Sequence, residues 1–203
     1  GSGFSVGAGA TVLADATAFS FYATKTLTTA EGGMLTLRDP ARLERARRLA
    51  LHGIDADGYR RSRQGVYHYS VMEHGWKYNL PDLLAALGRV QLGRAESLRS
   101  RRLATARRYA LGLAPLEARG WLTLPVVEDG SESAWHLYPI RFALPALRPG
   151  WTRDRLAADL RALGVGASVH YRPLHRHPFW ARALSIGKGR RAFPNADQIY
   201  ESV

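Results

Sequence analysis

The chain has 203 residues, enough for one large domain or two small ones, and 46% hydrophobic with 23% charged residues is the make-up of an ordinary globular protein. No apolar run approaches the roughly 20 residues that span a bilayer, the N-terminus lacks the basic-then-apolar layout of a signal peptide, and the absence of cysteine excludes disulfides and thiolate metal sites. The expectation is therefore a cytoplasmic protein with no membrane partner, whose net charge of +12 favours anions: nucleic acid, phosphate-bearing cofactors or nucleotide-linked substrates.

Gly1 to Asp15 is rich in glycine and alanine and is predicted to be a loop. Phe19, Phe21 and Tyr22 have the aromatic content of a buried strand, Thr24 to Gly33 carry turn chemistry, and Met34-Leu35-Thr36-Leu37 resumes as a second strand. Between them stands Lys25, one of only three lysines (with Lys77 and Lys188) among 29 basic residues. Taken by spacing alone, a lysine in a loop is ordinarily a solvated charge. A lysine held at a strand end beside apolar walls can instead lose proton affinity and attack a carbonyl carbon as a neutral amine.

Asp39-Pro40 has the N-cap and first-turn chemistry that opens a helix, with Leu43, Ala46 and Ala50 along one stripe and Gly53 as its stop. From Ile54 to Tyr78 the chain is polar, glycine-punctuated and aromatic, a loop long enough to be functional or to pack on a partner. It closes on Gly75-Trp76-Lys77-Tyr78-Asn79-Leu80-Pro81-Asp82. Two helical patterns follow, Pro81 to Ser97 and Leu98 to Leu113, and Pro115 is expected to end the second. That second helix carries Arg99, Arg101, Arg102, Arg107 and Arg108, the best argument for a nucleic-acid-binding module. Its apolar positions and the lack of any helix-turn-helix, zinc or RNP signature argue for a packed or interdomain helix instead.

The remainder is predicted to be a smaller α/β unit: a strand at Trp121 to Leu124, an edge or bulged strand at Ala134 to Phe142, a helix capped by Thr152 and stopped by Gly164, then a strand and loop from Gly166 to His175. His170 and His175 are open to two readings on residues alone, substrate contact or structural hydrogen bonding. With no carboxylate near them in sequence, a metal site is not expected.

The run Ser20-Phe21-Tyr22-Ala23-Thr24-Lys25, continuing to Glu31-Gly32-Gly33-Met34, resembles the cofactor-lysine segment of the DegT/StrS sugar aminotransferases, fold-type I enzymes that use pyridoxal 5′-phosphate (PLP). His52-Gly53, Gly75 to Asn79 with the following Ala-Ala-Leu helix, Trp135-His136-Leu137-Tyr138 and His170-Tyr171-Arg172-Pro173-Leu174-His175 resemble further segments of that family, in the same order. Ala30 stands where the family usually has the first glycine of its turn, at a cost if the backbone there is left-handed.

The resemblance implies an α/β, aspartate aminotransferase-like fold, with residues 1–97 the later part of the cofactor domain and 98–203 a connecting helix and small C-terminal domain. It implies Lys25 as the catalytic, PLP-bearing residue. Ser20 would bind the cofactor phosphate, as would Asn79 reaching from a second subunit of a homodimer, and Lys77, His170, Tyr171 and His175 would meet substrate. The reaction implied moves an amino group from an amino acid such as glutamate to a keto group of a nucleotide-linked sugar, in amino-sugar or cell-envelope polysaccharide biosynthesis. The family's aspartate partner of the pyridine nitrogen precedes this stretch, so the chain reads as truncated at both ends. A catalytically incomplete fragment, or a basic nucleic-acid-binding module, is the alternative.

Overall fold

The computed structural model describes residues 14–55, 61–63, 65, 67–183 and 193–203. The predicted N-terminal loop therefore lies outside the described residues except for Ala14 and Asp15, as do parts of the aromatic loop (56–60, 64 and 66). The chain mixes helices and strands in an α/β arrangement and divides into two compact units. One is Gly1–Leu103 with Glu132–His136, the other Ala104–Ser131 with Leu137–Val203.

In the first unit, β1 (Ala16–Ser20) and β2 (Gly33–Leu37) pair antiparallel in the register Ala16 to Leu37 through Ser20 to Gly33. Helix α1 (Pro40–Ala50) starts as its sequence dictates: the Asp39 carboxylate accepts from the Ala41 and Arg42 amides, and Pro40 occupies the first turn. Gly53, at φ +69°, follows its end, and its amide donates to the Arg48 carbonyl at 2.8 Å. Helix α2 (Asp82–Gly93) is followed at once by α3 (Ala95–Ala118).

Helix α3 corrects two expectations. The junction falls at Gly93-Arg94, not near Ser97, because glycine weakens the helix there and the Arg94 carbonyl already accepts from Leu98. Pro115 does not end α3, which continues to Ala118. The hydrogen bond that proline removes is the one to the carbonyl of Leu111, a residue on the exposed side where water can satisfy it.

In the second unit β3 (Leu122–Thr123) pairs antiparallel with β4 (Arg141–Phe142), and α4 (Arg153–Ala162) starts at a Thr152 hydroxyl that accepts from the Arg155 amide. Short α5 (Pro178–Ala183) and α6 (Pro194–Ser202) complete it. The strand expected over Ala134 to Phe142 shrinks to its last two residues: Trp135 has φ +49° and Pro139 has no amide to donate, so neither can extend a ladder. Gly166 to His170 is irregular, not a strand, and a single 3₁₀ turn covers Leu174–Arg176.

Candidate active site

The Lys25 turn is built on Phe21. Its amide donates to the Gly32 carbonyl at 2.9 Å, and its carbonyl accepts from the Thr29 amide (3.0 Å) and the Thr28 hydroxyl (3.1 Å). Phe21 and Leu27 are buried, Tyr22 to Thr24 are exposed, and the Lys25 amide closes a tight turn on the Tyr22 carbonyl at 2.9 Å. The lysine is thus raised between two apolar anchors. Among the described residues its ammonium makes no hydrogen bond or ion pair.

Thr29 is the keystone beneath this turn. It is 0% exposed, its hydroxyl donates to the Glu31 carbonyl at 2.7 Å, and two glycines admit it. A Cβ on Gly32 would come within 2.6 Å of the Thr29 hydroxyl and 2.8 Å of Leu80, and one on Gly88 within 2.9 Å of the Thr29 methyl. The lysine turn is therefore packed against the middle of α2 and the residue next to Asn79. Ala30 has φ +67°, the left-handed conformation that makes glycine the better residue there.

Asn79 and Lys77 are brought together, with Lys77 Nζ donating to Asn79 Oδ1 at 2.5 Å. That bond occupies the amide oxygen and leaves the Asn79 amide N–H donors turned to solvent, together with two ammonium protons. The motif is laced to the end of α1: Trp76 N–H to Leu49 O (2.7 Å), Tyr78 N–H to Ala50 O (2.7 Å) and His52 N–H to Trp76 O (2.8 Å). The backbones approach so closely that a Cβ on Gly53 would lie 1.8 Å from the Glu73 carbonyl oxygen, and one on Gly75 2.2 Å from the Gly53 nitrogen.

Do these residues fit a PLP-type cofactor? The Ser20 hydroxyl oxygen accepts from the Tyr22 amide at 3.4 Å, which leaves its own proton to give to a phosphate oxygen. Directly after Lys25, the Thr26 hydroxyl is buried without a hydrogen-bond partner among the described residues. A primary amine without a partner among the described residues, a donor hydroxyl at the end of the preceding strand and an orphan hydroxyl on the next residue are a donor set that suits an aldehyde bearing a phosphate. Thr26 was not foreseen, since a threonine in a threonine-rich turn carries no distinguishing sequence signal.

His170, Tyr171 and His175 lie in the second unit and differ in kind. His170 pairs with the Ser168 hydroxyl at 2.8 Å and its ring lies 4.2 Å from that of the exposed Tyr171. The His175 side chain is mostly covered, with Nε2 2.9 Å from the buried Asp197 Oδ1, and the Arg176 guanidinium bonds the same oxygen. Arg176 also reaches Glu201 at 2.7 Å, and Arg153 bonds the Tyr200 carbonyl and stacks on the Tyr200 ring at 4.3 Å. Burial alone would raise the Asp197 pKa, but the His175 and Arg176 bonds outweigh it and hold the carboxyl below its ordinary value. The bond to Asp197 gives His175 a structural part in clamping α6. Asp197 itself gave no signal in sequence, because its partners lie more than 20 residues away.

On the arginine-rich helix, Arg99 is held by Glu96 (2.8 Å) and Glu132 (3.0 Å), which removes it from any phosphate-binding stripe. Among the described residues no helix is long and apolar enough to cross a membrane.

The chain is 39% identical over 191 residues to the spore coat polysaccharide biosynthesis protein SpsC of Bacillus subtilis, covering 93% of this chain and 47% of that protein. It superposes on the aminotransferase TlmJ of Streptoalloteichus hindustanus with a TM-score of 0.75 at 31% identity, over 93% of this chain and 45% of that one. It also superposes on the PMP form of Spr1654 from Streptococcus pneumoniae with a TM-score of 0.76 at 30% identity, over 93% and 47% of the two chains; that protein is solved in a PLP form as well. The chain thus spans about half the length of the relatives it matches. The family model for DegT/DnrJ/EryC1/StrS aminotransferases, PLP-dependent sugar aminotransferases, matches residues 4–203, and the chain belongs to that family.

Proposed function

We propose that the chain acts as a PLP-dependent aminotransferase that moves an amino group from an amino acid such as glutamate to a keto carbon of a nucleotide-linked sugar, as a cytoplasmic homodimer. Residues 1–97 form the later part of its cofactor domain, and 98–203 a connecting helix and the small domain. The observation that carries the reading is Lys25: an amine with no partner among the described residues, raised on a tight turn between buried Phe21 and Leu27, in a chain of this family.

When bound, PLP supplies the electron sink that makes a proton on the donor's α-carbon removable. Lys25 would hold the cofactor through Nζ, and its amine would hold and move the proton at the donor's α-carbon. The Ser20 hydroxyl would donate a hydrogen bond to the cofactor phosphate, as would the Asn79 amide N–H groups from a second subunit. Lys77 adds positive charge beside it and orients Asn79 through their hydrogen bond. His170, Tyr171 and His175 would contact the sugar.

The test is to add PLP to the purified chain, record its visible absorbance, reduce with borohydride and map the modified peptide by mass spectrometry. An adduct on Lys25 that Lys25→Ala abolishes is the expected result. A folded chain that takes up no PLP, or takes it up on another lysine, overturns the assignment. Amino-acceptor screening with keto-sugar nucleotides then tests the substrate class.

A further inference from the structure

Asp197 belongs to α6, yet both side chains that it holds directly, His175 and Arg176, come from the segment that the proposed function gives to the sugar. The residue is 3% exposed, and a single oxygen, Oδ1, takes His175 Nε2 at 2.9 Å and the Arg176 guanidinium. An ionised carboxylate has no proton to give, so the imidazole must carry one on Nε2 wherever this contact is made. Glu201 reaches the same guanidinium at 2.7 Å, so α6 ties Arg176 twice. Arg153 of α4 meets α6 separately, at the Tyr200 carbonyl and ring.

From this carboxylate a path of short bonds leads back to His170. The Arg176 amide donates to the Pro173 carbonyl (2.9 Å) and the His177 amide to the Leu174 carbonyl (3.0 Å), which closes the 3₁₀ turn over Leu174–Arg176. His177 Nε2 stands 3.3 Å from the Arg172 carbonyl oxygen, one residue from Tyr171, whose ring lies 4.2 Å from that of His170. Gly166 to Pro173 has neither helix nor strand, so side-chain bonds do here what a backbone ladder does elsewhere. We infer that Asp197 is a positioning residue for sugar recognition: its charge fixes the Leu174–Arg176 turn and, through it, the place of His170 and Tyr171. What those two side chains meet rests on the proposed function; their placement does not. Asp197→Asn keeps the shape, but its amide accepts only the weaker bonds of a neutral group.

The test reads the histidine rings of the isotope-labelled chain by NMR without ligand, the signals of His170 and His175 being assigned through His170→Gln and His175→Gln. Wild type should show the His175 proton on Nε2. Asp197→Asn should shift or broaden the ring signals of His170 as well as those of His175, and Asp197→Glu, which keeps the charge, should restore them in part. Arg153→Ala loosens α6 through a contact outside the turn and should leave His170 as in wild type. A His170 ring unmoved in Asp197→Asn would overturn the inference. So would equal movement in Arg153→Ala, which would make the effect a matter of α6 docking alone. Should Asp197→Asn not fold, Arg176→Gln, at a more exposed position, is read in the same way. Calorimetry with UDP-glucose and UDP then tests the sugar. Wild type should bind UDP-glucose more tightly than UDP, and Asp197→Asn should bind the two equally; a preference that survives in Asp197→Asn counts against the inference. Equal binding already in wild type, with the His170 shift intact, would sink the sugar reading of this segment and leave its placement by Asp197 standing.

Discussion

Thr29 and Gly88 are so close that a Cβ on the glycine would stand 2.9 Å from the threonine methyl. The contact joins the lysine turn to α2, so the geometry at Lys25 depends on a glycine more than 60 positions away in sequence. Two effects compete in Gly88→Ala. Alanine in a helix interior gains about 1 kcal/mol in propensity, while overpacking a buried site costs about 1–3 kcal/mol. Because Thr29 is fully enclosed and cannot withdraw, the clash should win, with a lower melting temperature and weaker PLP uptake. Gly93→Ala on the same helix, where an added Cβ meets nothing within 4 Å, is the control and should not destabilise. Equal melting temperatures for the two variants would show that Thr29 has room to move.

Ala30 gives the opposite sign. Its φ of +67° costs an L-residue roughly 1–2 kcal/mol, and glycine removes that strain while adding about 0.4–1 kcal/mol of unfolded-state entropy. The balance favours Ala30→Gly by about 0.5–1 kcal/mol, read as a rise in thermal or urea midpoint. A drop in that midpoint would mean that the left-handed turn is not what the folded chain adopts.

These two positions show what the sequence could and could not disclose. The turn around Lys25 with its returning strand, the Asp39-Pro40 helix start and the Thr152 cap were legible, because each depends on residues within a few positions of one another, whereas the strand expected to carry Phe21 and Tyr22 ends before them, at Ser20. Ala30 was legible as a departure from a glycine pattern, and the structure turns it into a definite backbone strain. The wedge of Thr29 between Gly32 and Gly88 and the clamp on Asp197 were not legible, because they arise only when distant segments meet. The strand expected at Ala134 to Phe142 failed for a related reason: alternating polarity predicts a pleated face, but Trp135 and Pro139 deny it a ladder.

Lys25 itself separates chemistry from stability. Its ammonium makes no hydrogen bond or ion pair among the described residues, so Lys25→Ala should change folding stability by no more than about 0.5 kcal/mol while abolishing the borohydride-fixed adduct. Lys25→Arg keeps the charge and should fail equally, since a guanidinium does not offer the neutral amine that bonding to the cofactor requires. A strong loss of stability in either variant would mean that the side chain is part of the packing.

Asp197 ties acid stability to the placement of α6. Its carboxylate accepts from both His175 and Arg176, and those bonds hold its pKa below the ordinary aspartate value despite burial. The sign follows from linkage: a carboxyl whose folded pKa lies below its unfolded one contributes stability that is fully present above the unfolded value, about 3.9, and is lost as pH falls through the folded value. Limited proteolysis at decreasing pH should therefore leave α6 protected through mildly acidic conditions and release it only below the ordinary carboxylate range. Asp197→Asn removes the charge at every pH, so α6 should be cleaved readily at neutrality with no further acid dependence from this group. Protection of α6 in Asp197→Asn equal to wild type would show that the Arg153 contacts with Tyr200 hold the helix by themselves.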